Sequence, residues 1–306
     1  MIHTPVLLNE VLKAFEGIKN GTIIDCTLGY GGHSSAILRQ NKNIKLIGFD
    51  RDLEAINYSK KYLDEFKDRV FIKHSNFSNS LSGINTDDIR GILADIGVSS
   101  LQLDKNSRGF SLNSNNLDMR MNQNDKKDAK FVINTYSLGE LERIFKEYGE
   151  LKNAKLIAGK IVDYREKKEI LSVKELANLV GLKPVRKNGI LEIILVLQAL
   201  RIEVNDELLE LENLLTSIEN ANLKDTMVVI ITFHSLEDRI VKNKFKKWEK
   251  ECICPEFFIK CECGGNHALG KIVTKKPITP GNYEILNNSR SKCAKLRIFK
   301  IKWMKT

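Results

Sequence analysis

The segment Asp25 to Ser34 (DCTLGYGGHS) holds residue types that let a cofactor come close to backbone. It follows an apolar run that reads as a strand and precedes a stretch that reads as a helix, and Gly29, Gly31 and Gly32 allow a tight turn with no Cβ in the way. Ser34 stands where the dinucleotide pattern GxGxxG has its third glycine, so the turn alone is a weak signal. It gains force from Asp50, which ends the next apolar run 21 residues after Gly29, where a carboxylate accepts hydrogen bonds from a ribose diol. A dinucleotide and S-adenosylmethionine both present an adenosine ribose there, so the pair reports an adenosine cofactor of either kind. Capping the helix that starts near Leu53 is the alternative role for Asp50.

Other chemistry-bearing residues cluster at the ends of apolar runs. Ser75, Asn76 and Phe77 follow the third run, where Phe77 can flank an adenine ring or fill a core. The fourth run ends in Asp95 to Leu103 (DIGVSSLQL), a carboxylate, a glycine and two hydroxyls, and the chemistry is expected there. His234, Glu237, Asp238 and Arg239 follow a later run, suited to an active site, to RNA or to a helix-start salt network. Arg108, Asp118 and Arg120 lie in a polar loop and are expected to order over a cofactor or an RNA backbone, with exposed loop charges as the alternative. Cys252, Cys254, Cys261 and Cys263 form two CxC pairs six residues apart, a set that could offer four thiolates to a zinc. The tight spacing favours plain reduced thiols, and no metal is assigned to the site.

These residues need a scaffold. Thr22 to Cys26, Lys45 to Phe49, Val70 to Lys73, Gly91 to Ala94 and Met227 to Phe233 read as strands, alternating in the first half with helical stretches, as in a parallel sheet covered by helices. Polar residues gather at the strand ends, and open α/β sheets bind ligands beyond that carboxyl edge. From Asp104 the texture turns polar and then helical without strands, with capping boxes at Ser137 with Glu140 and Ser172 with Glu175, and a further helix from about Glu192. Lys295 to Trp303 (KLRIFKIKW) alternates and suits an edge strand pair.

The 306 residues carry 49 Lys and Arg against 39 Asp and Glu, a net charge of +10 that favours polyanionic partners. Lys271, Lys275, Lys276, Arg290, Lys292, Lys295 and Arg297 concentrate charge near the end, consistent with phosphate contacts or with a solvated basic face. Six cysteines without a charged-then-apolar leader suggest a reducing cytoplasm. No apolar run approaches the roughly 18 to 20 residues of a membrane span; Ile190 to Leu200, the longest, contains Glu192 and Gln198.

HTPVLLNE from His3, DCTLGYGGHS, GFDRD from Gly48, DIGVSSLQLD, RGFS from Arg108, LDMRM from Leu117, QALRIEVNDEL from Gln198 and FHSLEDRIVK from Phe233 together resemble the signature blocks of the bacterial ribosomal RNA small-subunit methyltransferase H family, also called MraW. The resemblance runs through the whole chain. It implies methyl transfer from S-adenosylmethionine to the N4 amine of a decoding-centre cytidine in 16S rRNA, within assembled small subunits. Carried over by position, it implies cofactor contacts at Gly31, Gly32, His33, Asp50, Phe77, Asp95 and Gln102. The chain departs from the family pattern at Leu195 and Leu197 in LEIILVLQAL, at Leu101 in GVSSLQ, and at Ser289, Lys292 and Cys293 in NSRSKCAKLR.

The expectation is therefore an α/β, Rossmann-like class I S-adenosylmethionine-dependent methyltransferase domain at 1–104 and 206–306, interrupted by a mainly helical substrate-binding domain at 105–205. Asp95, or a nearby carbonyl, is the candidate for orienting the amine. The delocalised amino lone pair needs a hydrogen-bond acceptor to become available, and alignment supplies most of the rate. The rivals are a DNA amino methyltransferase, which the absence of a DPPY tetrad argues against, and a non-catalytic RNA-binding assembly factor. A cytoplasmic monomer or homodimer, with 16S rRNA as partner and no membrane, completes the reading.

Overall fold

The computed structural model describes residues 5–185, 189–255, 258 and 260–302, so His3 and Trp303, at the ends of two quoted segments, lie outside the described residues. The chain divides into two compact units, Met1–Gly97 with Leu209–Thr306, and Val98–Leu208.

The first unit is built on a seven-stranded sheet. Its strands are β1 (Gly21–Asp25), β2 (Ile44–Asp50), β3 (Val70–His74), β4 (Ile89–Asp95), β5 (Met227–Thr232), β6 (Gly270–Ile272) and β7 (Lys295–Ile301), in the order β3-β2-β1-β4-β5-β7-β6. The pairings among β1 to β5 are parallel, whereas β7 runs antiparallel to both β5 and β6. This is the Rossmann-like fold expected, with the strand order reversing at β1 and β4, the switch point where such sheets open a crevice. The basic C-terminal strand lies one place in from the edge; short β6 takes the edge itself.

Helices cover both faces because the strands are apolar on both. Successive residues point to opposite sides. Ile24, Ile92, Val228 and Ile230 pack with Leu214, Phe245 and Trp248 on one side, while their neighbours Ile23, Leu93, Val229 and Ile231 pack with Val11 and Phe15 on the other. All five residues of β1 are buried, and each fully buried Ile or Val contributes roughly 1.5 to 3 kcal/mol. The covering helices include α1 (Leu8–Phe15), α2 (Gly32–Gln40) and α3 (Leu53–Tyr62).

The second unit contains α4 (Ser100–Asp104), α5 (Ala129–Thr135), α6 (Leu138–Glu147), α7 (Ala154–Arg165), α8 (Val173–Val180) and α9 (Glu192–Asn205). Helix α10 (Glu207–Asn220) crosses the division, and α11 (Ser235–Trp248) and α12 (Asn282–Asn287) return to the first unit. Leu141, Ile144, Phe145, Ile157, Ile161, Val196 and Leu200 share one core. Leu197, one of the departures from the family pattern, is buried in it.

Ser137 and Glu140 form the full reciprocal capping box. Ser172 caps α8, but the Glu175 carboxylate accepts instead from the Leu171 N–H, Tyr164 and Lys168, because these donors surround it. Among the described residues no helix is long and apolar enough to cross a membrane.

Candidate cofactor site at the carboxyl edge of the sheet

The loop from Thr27 to His33 touches both crevice carboxylates. At the end of β2, Asp50 accepts the Gly29 N–H at 2.7 Å on one oxygen and the Asp52 N–H at 2.8 Å on the other. Asp52, not Asp50, caps α3, accepting from the Glu54 N–H. Asp50 is thus left to face the turn. Burial pushes its carboxyl up to about 6 against the opposing pull of the two N–H donors.

At the end of β4, the Asp95 N–H donates to the Thr27 hydroxyl at 2.6 Å. The His33 Nε2 stands 3.4 Å from Asp95 Oδ2, an ion pair when the imidazole is protonated. Asp95 Oδ1 and both His33 ring nitrogens are buried without a hydrogen-bond partner among the described residues. Buried polar atoms are ordinarily satisfied, so three such atoms beside one crevice call for a polar ligand.

The turn keeps its shape for two reasons. Asp25, buried at the end of β1, accepts the Ser34 hydroxyl at 2.6 Å and the Thr27 N–H at 3.2 Å, tying strand to helix start. Burial holds the Asp25 carboxyl above the ordinary carboxylate range, opposed by the Ser34 hydrogen bond. Gly31 has φ +80°, and a Cβ there would meet the Leu63 side chain at 3.1 Å, so this position wants glycine.

Of the residues singled out from the sequence, Gly31, Gly32, His33, Asp50 and Asp95 come together at this edge, with Phe77 just past β3, half-buried against the core. Gln102 belongs to the second unit, where its side-chain oxygen accepts the Ser99 N–H in the α4 capping box. Asp25 and Thr27 were not singled out individually. Their signal is polarity at the end of an apolar strand, which DCTLG does display.

Two groups singled out from sequence find partners within the fold. Glu237 accepts from the Phe233 and His234 N–H groups at the start of α11, while Asp238 pairs with Arg297 at 2.6 Å and Lys295 at 3.3 Å, the helix-start network. Arg297 is buried in that pair, leaving Lys271, Lys275, Lys276, Arg290 and Lys292 as the exposed part of the basic set. Arg108, 1% exposed, donates to the Arg120 and Met121 carbonyls, and Arg120 grips Asp118 through two hydrogen bonds and the Asp125 carbonyl. A guanidinium's planar fork of donors suits it to stitching such a loop together. Cys26 is buried beside Ser80, and burial pushes its thiol up to about 12, so it is no nucleophile.

A Rossmann-like sheet with reversed β7 and an acidic crevice beyond β1, β2 and β4 defines a protein of the class I methyltransferase type. The family profile described as the MraW methylase family matches residues 1–302, and the chain belongs to that family. It is 58% identical over 303 residues to the ribosomal RNA small subunit methyltransferase H of Campylobacter concisus (strain 13826), with 98% of each chain covered. Against the protein of the same name from Campylobacter lari it is 57% identical over 298 residues, 97% of this chain and 98% of the relative. Against that of Aliarcobacter butzleri it is 56% identical over 298 residues, again 97% and 98%.

Proposed function

We propose that this protein transfers a methyl group from S-adenosylmethionine to the N4 amine of a decoding-centre cytidine in 16S rRNA of the small ribosomal subunit, in the cytoplasm. The observation that carries the reading is the pairing of the Asp50 carboxylate on the glycine turn with the unsatisfied Asp95 and His33 atoms across the same crevice. Those atoms fit the cofactor. Asp50 keeps acceptor capacity for a ribose diol, and Gly29, where a Cβ would meet nothing nearer than the Thr27 carbonyl at 3.9 Å, leaves the turn open to the cofactor, whereas Gly31 and Gly32 pack against Leu63 and Pro5. Phe77 flanks the base, and Gly31, Gly32, His33, Asp50, Phe77 and Asp95 are the proposed contacts.

When bound, S-adenosylmethionine supplies a methyl group on a sulfonium, already a good electrophile. The chain's residues must then align the amine and keep water out. Asp95 is the group proposed to accept a hydrogen bond from the cytosine amino group, drawing its lone pair out of the ring for in-line attack. His33, with Nε2 3.4 Å from Asp95 Oδ2, pairs with it when the imidazole is protonated. The target base must leave its stack to reach the crevice. The helical unit 98–208 and the exposed lysines around Lys275 are proposed to hold the RNA, to which the +10 charge contributes attraction.

The names of the relatives support rRNA as substrate, and the absence of DPPY disfavours DNA. Labelled methyl transfer to small subunits from cells lacking the protein, alongside naked RNA and DNA, tests the proposal. Label in one 16S cytidine, located by mass spectrometry, is the expected result. Label in DNA alone, or binding of subunits without transfer, would overturn it.

A further inference from the structure

The chain between α11 and β6 runs through residues 249–269 without helix or strand among its described residues, and only Ala268 of them is buried. Loops that long without secondary structure are uncommon in compact domains, and this one has no core of its own to hold it. It does have a fixed base. The Leu269 N–H donates to the Trp248 carbonyl at 2.7 Å, the His267 N–H to the Glu251 carbonyl at 3.0 Å, and Lys302 pairs with Glu251 at 3.1 Å.

Above that base the four cysteines converge. The Sγ atoms of Cys252, Cys254, Cys261 and Cys263 all lie within 4.8 Å of one another. Cys261 and Cys263 are 3.5 Å apart and Cys252 and Cys263 3.7 Å. Zinc–thiolate bonds of about 2.3 Å at tetrahedral angles place sulfurs about 3.8 Å apart, whereas a disulfide brings them to about 2.05 Å. The spacing is that of ligands sharing an ion. Cys254 Sγ also accepts the Glu262 and Cys263 N–H groups, each at 3.3 Å, the kind of donation that stabilises a metal-bound thiolate and orients it.

We propose that Cys252, Cys254, Cys261 and Cys263 bind one zinc ion as a tetrathiolate site that staples this loop. The CxC spacing by itself left plain thiols ahead; the convergence of all four sulfurs reverses that order. Four protein ligands complete a tetrahedral zinc and leave no open position, so the site is structural. Its place in the fold agrees. Gly270, where the loop enters the sheet, pairs with Ile301, and the adjacent Lys300 pairs with Met227, the first residue of β5. The loop therefore joins the sheet at the amino end of the parallel strands, opposite the carboxyl edge that carries Asp25, Asp50 and Asp95. The inference stands independently of the proposed function.

Elemental analysis of the full-length protein, purified without chelator, should give close to one zinc per chain, falling at least about tenfold when Cys252→Ser and Cys263→Ser are combined. A second measurement on the unsubstituted protein does not depend on the variant folding. Replacing the metal with Co(II) should give intense thiolate-to-metal charge-transfer absorption and the visible bands of tetrahedral cobalt. Hydrogen exchange after chelation should quicken within residues 249–269 while β1 to β5 keep their protection. Protein that carries iron instead, or that binds neither zinc nor cobalt while its four thiols react freely, would overturn the assignment.

Discussion

Burial and two backbone N–H donors pull the Asp50 carboxyl in opposite directions, and burial prevails, holding it at about 6. The ionised form is then the costly one in the free fold. This group's contribution to stability is lost as pH rises from the ordinary 3.8 through about 6 and is regained on acidification. Cofactor binding should run the other way, since a ribose diol needs the ionised acceptor. Calorimetry across this range should show S-adenosylmethionine affinity rising with pH through about 6 and flat above it, while Asp50→Asn weakens binding by about tenfold or more and removes the pH dependence. An unchanged affinity in that variant would remove Asp50 from the cofactor site. For Asp95→Asn, the expectation is a fall in turnover of about a hundredfold or more with an unaltered melting curve, read by single-turnover methyl transfer.

The joint between β1 and α2 rests on few bonds. Ser34→Ala deprives the buried Asp25 carboxyl of its 2.6 Å donor, so urea unfolding should show a loss of roughly 1 to 3 kcal/mol. In the second unit, Ser137→Ala breaks a full capping box and should cost about 1 kcal/mol by the same measurement, from the bond that α6 loses at its start. Elements of this kind were legible where their signal is local. The strands β1, β2, β4 and β5 show as short apolar runs because both faces of the parallel sheet are largely covered there, while β3 at the edge is only half-buried and leaves Phe71 exposed. Short β6 was not legible. Its three residues, Gly270–Ile272, are held mainly by β7, and nothing in so brief a run announces a partner downstream at Ile301. Glu175 shows a related limit, since Lys168 and Tyr164 draw its carboxylate from the Ser172 N–H that the local motif assigns it.

For the whole chain, the +10 charge and the exposed Lys271, Lys275, Lys276, Arg290 and Lys292 predict strong salt dependence of RNA binding. Replacing Lys275 and Lys276 by Gln should weaken binding at low salt and flatten the slope of log affinity against log salt, by about 0.7 for each phosphate of single-stranded RNA that is no longer neutralised. Filter binding at several salt concentrations checks this, and an unchanged slope would place the phosphate-binding surface elsewhere. Arg297 sits in the same basic run yet should contribute nothing to that slope, because its guanidinium is committed to Asp238.

The sequence by itself determined the strand pattern, the glycine turn followed by Asp50, the Asp95 segment and the family resemblance, because each is written in residues close together along the chain. Only the tertiary structure decided which charges are free to act. Arg108 and Arg297 look like surface cations in one dimension and prove to be buried and bonded within their own units, and Asp52 rather than Asp50 takes the helix cap. It also decided that four sulfurs from two CxC pairs meet within 4.8 Å. Spacing along a chain fixes the distance between neighbours, but burial and long-range partners depend on how distant segments fold back on each other.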